Sequence, residues 1–221
     1  MCYQTKITKQ KEEIAQRFKV DISNLKLFNP TEFCSAFDYP KTPVITNADP
    51  TKAQLFNWGL IPSWSQNNSI RNYTLNARIE TLAEKSSFKD VIQNRCLIIA
   101  NGFYEWQWRT KSGSKKQKYV ITLPNEEMFA FAGIFTEWTD FNNKKINTYT
   151  IITTQANELM SEIHNNKQRM PVILKQEDEQ HWLQGENYEA FKFPYSCNFV
   201  AKPVNEHLNN TTNNTLKLNF D

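Results

Sequence analysis

The stretch from Arg95 to Thr154 constrains the fold of this chain more than any other part of it. Four segments, RCLIIANGFYEWQW (95–108), KYVITL (118–123), MFAFAGIFTEW (128–138) and INTYTIITT (146–154), are apolar, aromatic and β-branched. Turn clusters such as KSGSKK and DFNNKK separate them. Strand-forming segments joined by connections this short predict an antiparallel meander.

Around that centre the pattern is mixed. KQKEEIAQRFKV (9–20) places Ile14, Ala15 and Phe18 on one stripe and predicts an amphipathic helix. Pro30, Pro40, Pro43 and Pro50 punctuate irregular chain with a short strand at 44–46. AQLFNWGLI (53–61) reads as a strand that stops at Pro62, and RMPVIL (169–174) and the region of 198–200 as further strands. Helices are expected around 77–85, 88–94, 156–163 and 177–183. Helices beside a dominant sheet give an α+β class, with a curved or barrel-like antiparallel core flanked by short helices. Residues 1–208 are expected to form one domain, and the Asn-rich segment 209–221 a polar tail.

Composition removes several functions. Gly59, Gly102, Gly113, Gly133 and Gly185 are the only glycines and lie far apart, so no Gly-rich phosphate cradle can be written. Cys2, Cys34, Cys96 and Cys197 show no CxxC spacing, which argues against a zinc cluster and a disulfide framework. No apolar run approaches bilayer length and the N-terminus turns polar at once, so a cytoplasmic, cytosolic or nucleoid-associated protein is expected. The net charge of +3 permits an anionic partner without demanding one.

Cys2 has chemistry that depends on its position. Trimming of Met1 would leave an α-amine and a thiol two carbons apart, a 1,2-aminothiol suited to capturing an aldehyde as a Schiff base that closes to a thiazolidine. The plainer alternative is a cysteine at a frayed terminus. Glu105 shares its strand face with Phe103 and Gln107, where desolvation would raise its pKa into the range of acid–base work; otherwise it is a glutamate on a solvent face. His164 reads as a second proton carrier or as a helix C-cap. Asn76 and Arg78, in LNARIET, read as an orienting group and a phosphate contact, or as an N-cap and a surface charge. Trp58, Trp64 and Tyr73 with Arg71 suggest a stacking platform for bases, or core aromatics.

Taken in order, MC, WGLIPSW, NARIET, RCLIIANGFYEW and IH followed by RMPVIL resemble the SRAP (SOS response-associated peptidase) family, whose members crosslink covalently to abasic sites in single-stranded DNA. The resemblance spans position 2 to about 174. It implies that Cys2 is the crosslinking nucleophile, Asn76 its positioning partner, Glu105 and His164 the acid–base pair and Arg78 a phosphate contact. Trp64, Arg71 and Arg169 join Arg78 as expected DNA contacts. The implied partner is single-stranded DNA containing abasic sites, bound by a monomer without metal or organic cofactor. Rival functions are an N-terminal cysteine peptidase or amidohydrolase using Cys2 and His164, and a noncovalent single-strand binding module. Two departures mark this chain: Tyr3 and Gln4 follow Cys2 where the family usually opens MCGR, and NNKQ separates His164 from Arg169.

Overall fold

A computed structural model describes residues 2–204. In chain order the main elements are β1 (Gln4–Ile7), α1 (Lys11–Phe18), β2 (Thr31–Ser35), β3 (Lys41–Thr46), β4 (Asp49–Trp58), β5 (Asn76–Arg78), β6 (Arg95–Ala100), β7 (Gly102–Trp108), β8 (Lys116–Thr122), β9 (Phe129–Thr139), β10 (Lys145–Gln155), α2 (Glu158–Ile163), β11 (Arg169–Pro171), β12 (Ile173–Leu174), α3 (Glu179–Leu183) and β13 (Val200–Pro203). The expected tail at 209–221 lies outside the described residues.

Five strands close into a barrel. β4 pairs with β3, β3 with β6, β6 with β9, β9 with β10, and β10 returns to β4. A ring with an odd number of strands cannot alternate direction all the way round, so one pair must run parallel. The β4–β10 pair does so, through Thr148↔Asn57 and Tyr149↔Trp58. β5 adds to β10 in the same parallel sense, β11 extends β10 and β12 pairs with β9. β6 is buried on both faces, which is why its sequence is a continuous apolar run rather than an alternation. Leu97 and Ile99 pack towards Ile14 and Trp182, whereas Cys96 and Ile98 pack towards Phe131 and Tyr149. The helices are short and lie outside the barrel, in keeping with the α+β expectation.

A second sheet runs β13-β8-β7-β1-β2. Asn101 moves the chain from the barrel into it. This fully buried side chain accepts from the Thr8 N–H and donates to the Thr8 hydroxyl, both at 2.9 Å, so the interruption of the 95–108 run leaves no polar group unpaired there. Gly102 follows because a Cβ at that point would sit 2.9 Å from the Lys6 side chain.

Several local expectations are revised. The simple meander fails, because the 95–108 run is divided between two sheets and β3 and β4 enter the barrel beside β6. The helix expected at 77–85 is strand β5 followed by a 3₁₀ turn, since the backbone of Asn76–Arg78 pairs along β10. The region 88–94 is likewise a short 3₁₀ turn. β1 and β2 went unanticipated: β1 is polar, and its Lys6 is buried only because Glu126 and Glu32 lie 2.9 and 3.5 Å away. Among the described residues no helix is long and apolar enough to cross a membrane.

Candidate active site

β1 carries Cys2 into the seam between the barrel and the second sheet. Its side chain is fully buried and belongs to the cluster that holds Trp58, Phe103 and Tyr149. Asn76, at the start of β5, donates its Nδ2–H to the Cys2 carbonyl at 2.8 Å. That bond ties the Cys2 backbone to a strand locked against the barrel. Burial pushes the Cys2 thiol well above the ordinary cysteine range, and the charge of Glu105 adds to the shift. The resting group is a neutral thiol.

Glu105 lies on the β7 face that carries Phe103, and antiparallel register from Thr5↔Phe103 brings Tyr3 level with it. Its side chain is 5% exposed, and burial raises its pKa to about 7. His164 Nε2 is 3.9 Å from Glu105 Oε2. Burial lowers the imidazole to about 4, so the ring is neutral at physiological pH. Its Nδ1 lies 2.9 Å from the Arg169 carbonyl and 3.1 Å from the Arg169 N–H, and the tautomer decides which contact is the hydrogen bond. Either choice fixes the ring plane and leaves Nε2 towards the carboxyl. A carboxyl that exchanges its proton near neutrality beside a neutral imidazole can both donate and accept protons at one place.

Glu105 and His164 open to a cleft of about 170 Å³, whose walls also include Tyr3, Trp106, Lys116 and Lys167. Arg78 is exposed on β5 and, two residues from Asn76, shares its strand face. The structure brings Cys2, Asn76, Glu105 and His164 together and sets Arg78 at their flank. Trp64 is 54% exposed in the loop after β4, and Arg71 stacks its guanidinium 3.6 Å over the Tyr39 ring. Neither lines the cleft.

Arg169, expected as a DNA contact, is an internal brace in the structure. It is 8% exposed, and its two terminal nitrogens meet the Glu80 carboxylate at 2.7 and 2.8 Å while one also donates to the Thr153 carbonyl. Trp58 leaves the stacking platform too: it is fully buried, with its indole N–H on the Leu75 carbonyl.

The model of the SOS response associated peptidase (SRAP) family matches residues 1–211. The chain belongs to that family. It is 32% identical to the abasic site processing protein YoqW of Bacillus subtilis, over 99% of this chain and 98% of that protein. It is 30% identical to the abasic site processing protein HMCES of Rattus norvegicus, over 85% of this chain and 65% of that protein. Among solved structures, a Bacteroides thetaiotaomicron protein superposes with a TM-score of 0.83 at 31% identity, covering 93% of each chain.

Both departures from the family pattern have structural readings. Tyr3 packs on Phe37, ring centroids 5.1 Å apart, and walls the cleft. The four residues NNKQ fold into a turn after α2, in which the Lys167 and Gln168 N–H groups return to the His164 carbonyl. The insertion therefore loops out and leaves His164 beside Glu105. His164 is a helix C-cap and a cleft residue at once. Sequence reasoning missed Trp106, Lys116 and Lys167 as cleft walls; the aromatic–lysine alternation of paired β7 and β8 was the available signal.

Proposed function

We propose that this chain processes abasic sites in single-stranded DNA by capturing the ring-opened aldehyde on Cys2. After removal of Met1 the Cys2 amine adds to the aldehyde carbon to give a carbinolamine, which loses water to form an imine. The thiol then adds across the C=N bond, its proton passing to the nitrogen, and the product is a thiazolidine. One water leaves in all, and no oxidant or reductant is involved.

The observation that supports this reading best is the meeting of the Asn76-held Cys2 with a carboxyl whose pKa is about 7. Carbinolamine dehydration needs an acid and ring closure needs a base for the thiol proton. Glu105 serves both near neutral pH, and neutral His164 passes protons to and from it. The raised Cys2 thiol weighs against the peptidase alternative, because a cysteine peptidase works through a thiolate of lowered pKa. Trp106, Lys116, Lys167 and Arg78 are suited to hold bases and phosphates of a single strand around the captured sugar.

Three oligonucleotides of one sequence test the proposal: intact, abasic, and bearing a tetrahydrofuran in place of the abasic sugar. A denaturing gel should show a stable band with the abasic strand alone, and Cys2→Ala should lose it while keeping noncovalent affinity for the tetrahydrofuran strand. A stable band at wild-type yield from Cys2→Ala would refute the role of the thiol.

A further inference from the structure

We infer that a phosphate-binding subsite adjoins the capture cleft, built from the β7–β8 hairpin and the Asn165–Gln168 insertion, in which Arg109 holds a backbone phosphate of a nucleotide flanking the captured sugar. This inference rests on the capture reading and gives that site a second anchoring point.

A groove of about 450 Å³ lies between the hairpin and the insertion, lined by Trp108, Arg109, Thr110, Lys111, Asn165 and Asn166. Trp108 and Asn166 also line the cleft, so the two spaces adjoin. Among the described residues no acidic side chain lines the groove.

Both walls are held in place. Asn165 accepts from the Trp108 N–H at 3.0 Å and donates to the Trp108 carbonyl at 2.9 Å, a side-chain imitation of strand pairing that docks the insertion onto β7. Gln107 adds a bond of 2.9 Å to the Glu162 carbonyl. On the other side, Gly113 has a φ of +69° and lies so close to Trp108 that a Cβ would come within 2.7 Å of the indole, so the hairpin tip lies against that ring.

Arg109 is oriented, and no carboxylate among the described residues pairs with it. Alternation places it on the β7 face of Glu105 and Gln107, about 13 Å along the strand from Glu105 and beyond the captured sugar itself. Its Nη2 donates to the Tyr119 hydroxyl at 3.2 Å, and that hydroxyl donates to Gln107 Oε1 at 3.3 Å. Arg17 and Arg169, by contrast, each have a bidentate carboxylate. An exposed guanidinium held by a neutral hydroxyl, in a groove that no described acidic residue lines and that adjoins the capture cleft, suits a phosphate diester.

The test replaces each phosphate flanking the lesion, one at a time, with a neutral methylphosphonate. Capture rate on the abasic strand and noncovalent affinity for the tetrahydrofuran strand are both measured. The wild-type protein should lose about three- to tenfold in affinity at one phosphate position. Arg109→Gln should be indifferent to that replacement, with a salt slope lower by roughly 0.7 of a unit. Asn165→Ala, which frees the wall without touching the cation, should blunt the same selectivity. Arg109→Gln retaining wild-type sensitivity at every phosphate overturns the subsite. Absence of any adduct in the wild-type protein instead overturns the capture reading, while the tetrahydrofuran affinities still decide on Arg109.

Discussion

The barrel and the second sheet share one continuous run of chain, Arg95–Trp108, yet they bury different chemistry on either side of Asn101. In β6 every residue is buried, and its one charge, Arg95, is satisfied by the Ile92 and Glu186 carbonyls and by the Trp182 ring 4.3 Å away. In β7 the buried charge is Glu105, whose carboxylate lies 3.9 Å from the His164 imidazole. A cation held by carbonyls keeps its proton through the whole physiological range, whereas a desolvated carboxyl near pKa 7 exchanges it. The barrel thus supplies a rigid wall for β5 and Asn76, and the second sheet carries Glu105 on β7 and Cys2 just ahead of β1.

That contrast can be broken most sharply at Glu105. Glu105→Gln keeps the shape but cannot carry a proton, and should slow adduct formation by about 10² to 10⁴ with little change in DNA affinity. The same variant separates two opposed pH effects on stability. Glu105 binds its proton more tightly folded than unfolded, so its stabilising contribution is full below the ordinary carboxylate value and is lost as pH rises through about 7. His164 behaves oppositely: its contribution is full above the ordinary imidazole value and is lost as pH falls through about 4. Thermal melts against pH should show Glu105→Gln gaining on the wild type above pH 7, by about 1 to 3 kcal/mol. Parallel curves across that range would mean that Glu105 is not desolvated.

The barrel side of the comparison is sharpened by Phe131→Ala. Phe131 is fully buried and meets Phe103 and Phe129 edge to face. Its truncation should cost about 3 to 5 kcal/mol in denaturant unfolding while leaving the capture rate per folded molecule close to wild type. A rate loss as large as that of Glu105→Gln would erase the division of labour.

His164→Ala should slow adduct formation less than Glu105→Gln does and should also slow release of a preformed adduct, followed by transfer to a competing abasic strand. Wild-type rates in both directions would leave His164 a helix cap only. The smallest effect is expected at Arg78→Ala, which should lower the salt slope of single-strand binding by roughly 0.7 of a unit. An unchanged slope would make Arg78 a plain surface charge.

The same contrast explains what could be read from the sequence. Barrel strands announce themselves because burial on both faces demands long apolar runs, as in RCLIIA and FAFAGIF. The strands that position the site do not. β1 is short and polar, and Lys6 enters the interior only with partners at Glu32 and Glu126, far away in sequence. β5 was taken for a helix because its three residues owe their conformation to β10 rather than to their own propensity. Cys2, Asn76, Glu105 and His164 were nevertheless legible as an ordered set, since each sits in a recognisable motif. The burial of Arg169 was not legible, because a charge beside a familiar motif does not disclose its pairing with Glu80.

The central claim is that Cys2, through its own amine and thiol, closes a ring on an aldehyde. The intact mass of the product formed with an abasic oligonucleotide, without reductant, tests it most directly. The expected mass is that of the protein lacking Met1 plus the oligonucleotide minus one water, with the modification mapping to the N-terminal peptide and Cys2 resistant to thiol alkylation. An adduct that retains Met1, maps to a lysine or leaves Cys2 open to alkylation would contradict the account.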